Sequence, residues 1–168
     1  MFYKLNDVMQ EFHKAHQQSK NLMAHRIGLP AVLMALFILL NWVSISIGGA
    51  LHITFSWLLI AGLLVIYYPM NIKLGAAMTV LMGIMNLIAL WIGYPRPSGL
   101  GFLIFLILLG GGIAGMWFGH GYEKGQKISV NVRQLIAAPV FILLELSRVL
   151  KMDQYLDLPV NTHSHQKK

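Results

Sequence analysis

Cysteine is absent from all 168 residues. Disulfides, iron–sulfur clusters and thiolate zinc sites are therefore excluded, and any metal must sit on His, Asp, Glu or Asn. Charge is also scarce: only 11% of residues are charged, against roughly 25% in an average soluble protein. Acidic residues are scarcest, with six against 13 basic ones. An early apolar run is missing as well. The first begins at about Leu29, behind a polar stretch holding Asp7, Glu11, Lys14, Lys20 and Arg26. That order argues against a cleavable signal peptide and keeps the first span in the mature chain. The net charge of +7 comes from basic residues beside apolar runs. There they act as topology signals and contacts for anionic lipid, not as a nucleic-acid reader.

What is present in quantity is apolar: 57% of the chain is hydrophobic, more than a water-soluble fold of this size could bury. Several runs approach the roughly 20 residues needed to cross a bilayer. The expectation is an all-α integral membrane protein forming a single domain over residues 1–168. Residues 1–28 read as an interfacial segment, with Phe2, Leu5, Val8, Met9 and Phe12 on one helical face. Four transmembrane helices follow within 29–118, at about 29–47, 53–68, 72–94 and 100–118. Pro30 opens the first, Gly48-Gly49-Ala50 turns the chain, Pro69 and Asn71 stop the second, and Pro95 to Gly99 joins the last two as antiparallel neighbours. Trp57, Tyr67 and Tyr68 are expected at the membrane interface. Gly110, Gly111, Gly112 and Gly115 flatten a surface of the fourth helix for close packing. Residues 119–150 hold a Gly-His motif and a last apolar run from 135 to 150, short for a span, that is tilted, half-inserted or a fifth crossing. The tail, 151–168, reads as solvated.

Basic residues in short loops set the orientation. Lys4, Lys14, Lys20 and Arg26, then Lys73, then Lys124, Lys127 and Arg133 fall on one side of four spans, with only Arg96 opposite. The positive-inside rule places the N-terminus in the cytoplasm. The membrane would be the inner one in a bacterium and the endoplasmic reticulum in a eukaryote. Residues 1–28 and 119–134 then share a surface, which brings His13, His16 and His25 to the same membrane face as His120. Neutral imidazole is the commonest ligand of iron, zinc and copper, and several His with a carboxylate suit Fe(II). His16 and His25, nine residues apart, would point about 180° from each other on one continuous helix. They can share a ligand only if the helix breaks, and Gln17 to Lys20 offers the break, with Ser19 as N-cap. Asn21 and His25 are then i, i+4, and His120 and Glu123 are i, i+3. Glu145, ionisable within an apolar run, is a functional candidate or a partner for Arg148.

The stretch HQQSKNLMAHRIGLP, with His16, Asn21, His25, Gly28 and Pro30, and the stretch FGHGYEKGQKISVNVRQLIAAPVFILLE, with Gly119, His120, Glu123, Pro139 and Glu145, together resemble the paired signatures of a membrane family. That family includes the yeast 2-hydroxy fatty acid dioxygenase of phytosphingosine breakdown. Glu123 falls three residues after His120, where the family pattern has four, and His13 stands outside the signature. The resemblance implies Fe(II)-dependent α-oxidation of a 2-hydroxy long-chain fatty acid by O2, giving an acid one carbon shorter. It implies His16, His25 and His120 as metal ligands, with Asn21, Glu123 and Glu145 as auxiliary catalytic groups. Lys20, Arg26 or Lys124 would steer the substrate carboxylate at the headgroup level. The readings left open beside it are a non-enzymatic lipid-binding scaffold, a small transporter, and a bis-histidine haem protein.

Overall fold

The computed structural model describes residues 18–48, 51–93, 97–122 and 132–151. Residues 1–17 of the expected interfacial segment 1–28, His13 and His16 among them, Glu123 and the residues from 152 lie outside them. So do residues 94–96 of the Pro-rich turn and most of the 119–134 segment. Among the described residues the chain is mostly helical. Its elements are α1 (Ser19–Asn41), the strands β1 (Ser44–Ile47) and β2 (Leu51–Thr54), α2 (Phe55–Met70), α3 (Ile72–Gly93), α4 (Gly99–His120) and α5 (Val132–Val149).

Three helices, α1, α3 and α4, are long and apolar enough to cross a membrane. The 16-residue α2 is apolar but shorter, reaching about 24 Å against a hydrocarbon core of about 30 Å. The first span is displaced from its expected bounds. It starts at Ser19 and ends at Asn41, because Ser44 to Ile47 pair as a strand with Leu51 to Thr54 instead of continuing the helix. The β-branched alternation of Ser-Ile-Ser-Ile and His-Ile-Thr suits a two-stranded antiparallel ribbon, and Gly48 turns it at φ 62°. The fold is thus helical with one small hairpin.

Helix ends follow local chemistry. Asn71 terminates α2, its amide N–H bonding to Tyr67 O, and its Oδ1 accepts from the backbone of Lys73 and Leu74 to open α3. Ser98 caps α4 by accepting from Gly101 N at 2.9 Å. The N-cap position of α1 is Gln18, extended and making no side-chain capping bond, so Ser19 is the first helical residue and not the cap.

Packing departs from chain order. The most extensive interface joins α1 to α4, α2 packs on α3, and α4 meets α3 little beyond their connection. The expected α3–α4 pair is therefore replaced by α1–α4, and glycine supplies the reason. A Cβ on Gly28 would lie 2.6 Å from Met116 Cγ and 2.9 Å from Gly112 O, and one on Gly112 would lie 2.7 Å from Val32 Cγ2. Gly110, Gly111 and Gly115 instead face open space, so of that group Gly112 alone contributes to close approach.

The core runs through Phe37, Ile38, Tyr67, Leu74, Met78 and Met82, and α5 closes it with Val140 and Phe141. Tyr67 is not an interfacial aromatic: it is fully buried and donates its hydroxyl proton to Ile136 O at 2.9 Å, tying α2 to α5. A second tie is polar. Asn41 Nδ2 donates to Asn86 Oδ1 at 3.1 Å, Ser56 donates to Asn41 Oδ1, and Thr54 bonds Ser56 at 2.7 Å, which fastens α1, α2 and α3 at the hairpin end. The outer surface is apolar, with Trp91, Val65 and Leu103 well exposed. Such a surface suits hydrocarbon, not water.

Candidate functional site

Site residues lie at the end of the bundle opposite the hairpin. The N-terminal end of α1 and the C-terminal end of α4 meet there, since α1 and α4 run past each other along the glycine seam. Asn21 and His25 are both buried on α1. His120 is the last residue of α4. The rings of His25 and His120 stand 4.9 Å apart, centroid to centroid, with planes inclined at 83°. Two residues 95 positions apart in sequence thus form one imidazole pair.

Gly119 permits the pairing. A Cβ there would fall 2.7 Å from Ala24 Cβ and 2.9 Å from Asn21 Oδ1, so any larger residue would push α4, and His120 with it, away from α1. Asn21 packs against this glycine. Its backbone carbonyl lies 2.9 Å from His25 Nδ1. A carbonyl can only accept, so Nδ1 carries a proton, and in the neutral imidazole Nε2 is then the acceptor nitrogen. That is the arrangement typical of a metal-bound imidazole, whose far nitrogen donates to a carbonyl or carboxylate. Lys20, the second residue of α1, sits over the ring of Tyr122 at 4.8 Å from its centroid, holding the two helix ends together across the site.

With metal–nitrogen bonds of about 2.1 Å, two imidazoles whose centroids stand 4.9 Å apart are close enough to reach one ion. The carbonyls at the C-terminus of α4 add partial negative charge, which favours a cation beside His120. The donor chemistry therefore fits a divalent metal. Among the described residues no group of three His, Asp or Glu converges. The proposed third imidazole, His16, and Glu123 both lie outside them. Gln18, between His16 and His25, is extended with φ −78° and ψ 132°, so the helix bearing His25 begins at Ser19, within the stretch where the spacing calls for a break.

Glu145 is placed differently from the imidazoles. On α5 it accepts from Arg26 at 2.9 Å and from Arg148 at 3.0 Å. It therefore bridges α1 and α5, and its described contacts are with cations. Arg26 is thereby engaged, as Lys20 is with Tyr122, and Lys124 lies outside the described residues. His52, on β2 at the far end, is exposed and bonded to Ser46 Oγ at 2.8 Å. The residues that spacing alone underrates are Gly28, Gly112 and Gly119, whose role needs the helix partner to be known.

The class defined by this fold and site is a mostly helical protein with three helices able to cross a membrane and an imidazole pair at one end of the bundle. Compared with known protein families, curated proteins and solved structures, the chain matches none.

Proposed function

We propose that the protein is an Fe(II)-dependent dioxygenase of the lipid bilayer, carrying out α-oxidation of 2-hydroxy long-chain fatty acids. The observation that carries the reading is the His25–His120 pair, 4.9 Å apart with His25 held in the metal-binding tautomer by the Asn21 carbonyl. The paired His and Gly-His signatures direct the choice of reaction. In this reading α2 is the fourth crossing and α5 a half-inserted helix, with the imidazoles at the cytosolic face. An amphiphilic substrate keeps its tail in hydrocarbon and presents its hydroxyl and carboxylate at headgroup level, where His16, His25 and His120 would hold the metal. Ferrous iron, when bound, supplies O2 activation and a chelation point for the hydroxy-acid head. Asn21 orients His25, Gly119 sets the distance to His120, and Lys20 with Tyr122 closes the helix ends. Glu123 would be an auxiliary group, and Glu145 a positioning residue acting through Arg26.

The test is metal analysis of the anaerobically purified protein and its His25→Ala and His120→Ala variants, followed by O2 uptake with 2-hydroxypalmitate. Near-stoichiometric iron lost in both variants, with a product one carbon shorter, supports the reading. A protein that holds no metal and consumes no oxygen after Fe(II) is added returns it to a lipid-binding scaffold.

A further inference from the structure

Arg26 of α1 and Arg148 of α5 meet on one carboxylate. Arg26 Nε donates to Glu145 Oε2 at 2.9 Å and Arg148 Nη1 donates to Oε1 at 3.0 Å, so each oxygen serves a different guanidinium. Glu145 is the only acid among the described residues, and it cancels one of the two positive charges. Each guanidinium spends one arm of its fork on Glu145, and neither has a further partner among the described residues. The carboxylate is also the most buried part of the cluster, at 17% side-chain exposure against 47% for Arg26 and 33% for Arg148. The accessible part of the cluster is therefore its surplus of N–H donors.

The surroundings of these donors are apolar. Met23 and Ile27 flank Arg26 on α1, Val149 follows Arg148 on α5, and all three are exposed. Beyond the cluster both helices lack charge, α1 from 27 to 41 and α5 from 135 to 144. The two arginines thus stand where apolar stretches end, at the level where α1 in a bilayer passes from hydrocarbon to head groups. A cation without a counter-charge is expensive beside hydrocarbon. The anion that a bilayer supplies at that depth is the phosphate of its lipids, which guanidinium forks bind through paired N–H donors. One surplus positive charge matches one phosphodiester.

We infer that Arg26 and Arg148 form the head-group site of one bound anionic phospholipid, its phosphate on the two guanidiniums and its acyl chains against the exposed apolar residues beside them. Glu145 is the scaffold that holds the two forks side by side without neutralising both. A choline group would bring a second cation back to the arginines, so phosphatidylglycerol is preferred to phosphatidylcholine. The site uses neither imidazole nor metal, and it stands or falls apart from the dioxygenase reading.

The experiment is native mass spectrometry of the full chain in detergent, offered equimolar phosphatidylglycerol and phosphatidylcholine with identical acyl chains, and in a third arm inorganic phosphate. One phosphatidylglycerol should be retained about tenfold or more tightly than phosphatidylcholine, a preference lost in the Arg26→Gln, Arg148→Gln double variant. Arg148→Lys keeps the charge and loses the fork; it should weaken retention about threefold or more, and it supplies the comparison if the double variant does not fold. Lys73→Gln removes the same charge from α3 and should leave retention unchanged. Equal retention of the two lipids by the unaltered chain overturns the inference, as does unchanged retention in Arg148→Lys. A loss in Lys73→Gln as large as in the double variant would make the preference a property of the whole basic face and overturn it too. Displacement of phosphatidylglycerol by millimolar inorganic phosphate would assign the arginines to a free anion instead of a lipid.

Discussion

At the scale of single residues, the site depends on an absence of atoms as much as on its imidazoles. Gly119 has no Cβ, and the space a methyl would need is filled by Ala24 and Asn21. Gly119→Ala is expected to destabilise the protein by about 1–3 kcal/mol through overpacking and to weaken metal retention, because α4 must retreat from His25. Thermal melting in detergent and metal content check both effects. Gly111→Ala, facing open space, serves as control and should change neither. His25→Ala and His120→Ala should instead lose metal with little change in melting temperature. If either variant keeps both metal and turnover, that residue is not a ligand. The histidines and Asn21 were legible in the sequence because imidazole and amide side chains are rare next to apolar runs. Gly119 was legible only as part of a motif, since its purpose lies on another helix.

At the scale of elements, two polar ties hold the bundle at its opposite ends. The Arg26–Glu145–Arg148 cluster joins α1 to α5 with Glu145 at 17% side-chain exposure. Glu145→Gln should cost about 1–2 kcal/mol, between the values for exposed and buried pairs, and should loosen α5 without abolishing insertion. Faster proteolysis around residues 132–151 in otherwise folded protein would register it; unchanged proteolysis and melting would make the bridge superficial. At the hairpin end, Asn41→Leu leaves the buried Asn86 and Ser56 without their shared partner. A loss of about 1–3 kcal/mol is expected, partly recovered in the Asn41→Leu, Asn86→Leu double variant. Composition predicted the helices, yet it gave the first span too late a start and carried it through Ile47. Apolar strands and apolar helix ends look alike over four residues, and only the register of Ser44 to Ile47 against Leu51 to Thr54 distinguishes them.

At the scale of the whole molecule, the absence of cysteine allows a direct test of topology. Single cysteines at Lys20 and Tyr122, whose native side chains meet, should react with an impermeant maleimide from the same side of sealed vesicles. One at Ser46, on β1, should react from the other side. Labelling of Ser46→Cys from the Lys20 side would mean that α1 does not cross. The class of fold was determined by the sequence itself, because apolar runs of span length with few charges leave the backbone no solvent but lipid and itself. The meeting of the two histidine-bearing ends is seen in the His25–His120 contact; the expectation of four crossings puts them on one face. What the tertiary structure alone decided is which helices touch. Hydropathy is nearly even around α1, α2, α3 and α4, so it cannot select a partner among them. The selection of α4 by α1 came from the fit of Gly28, Gly112 and Gly119 into the facing backbone, and that fit set the distance between His25 and His120.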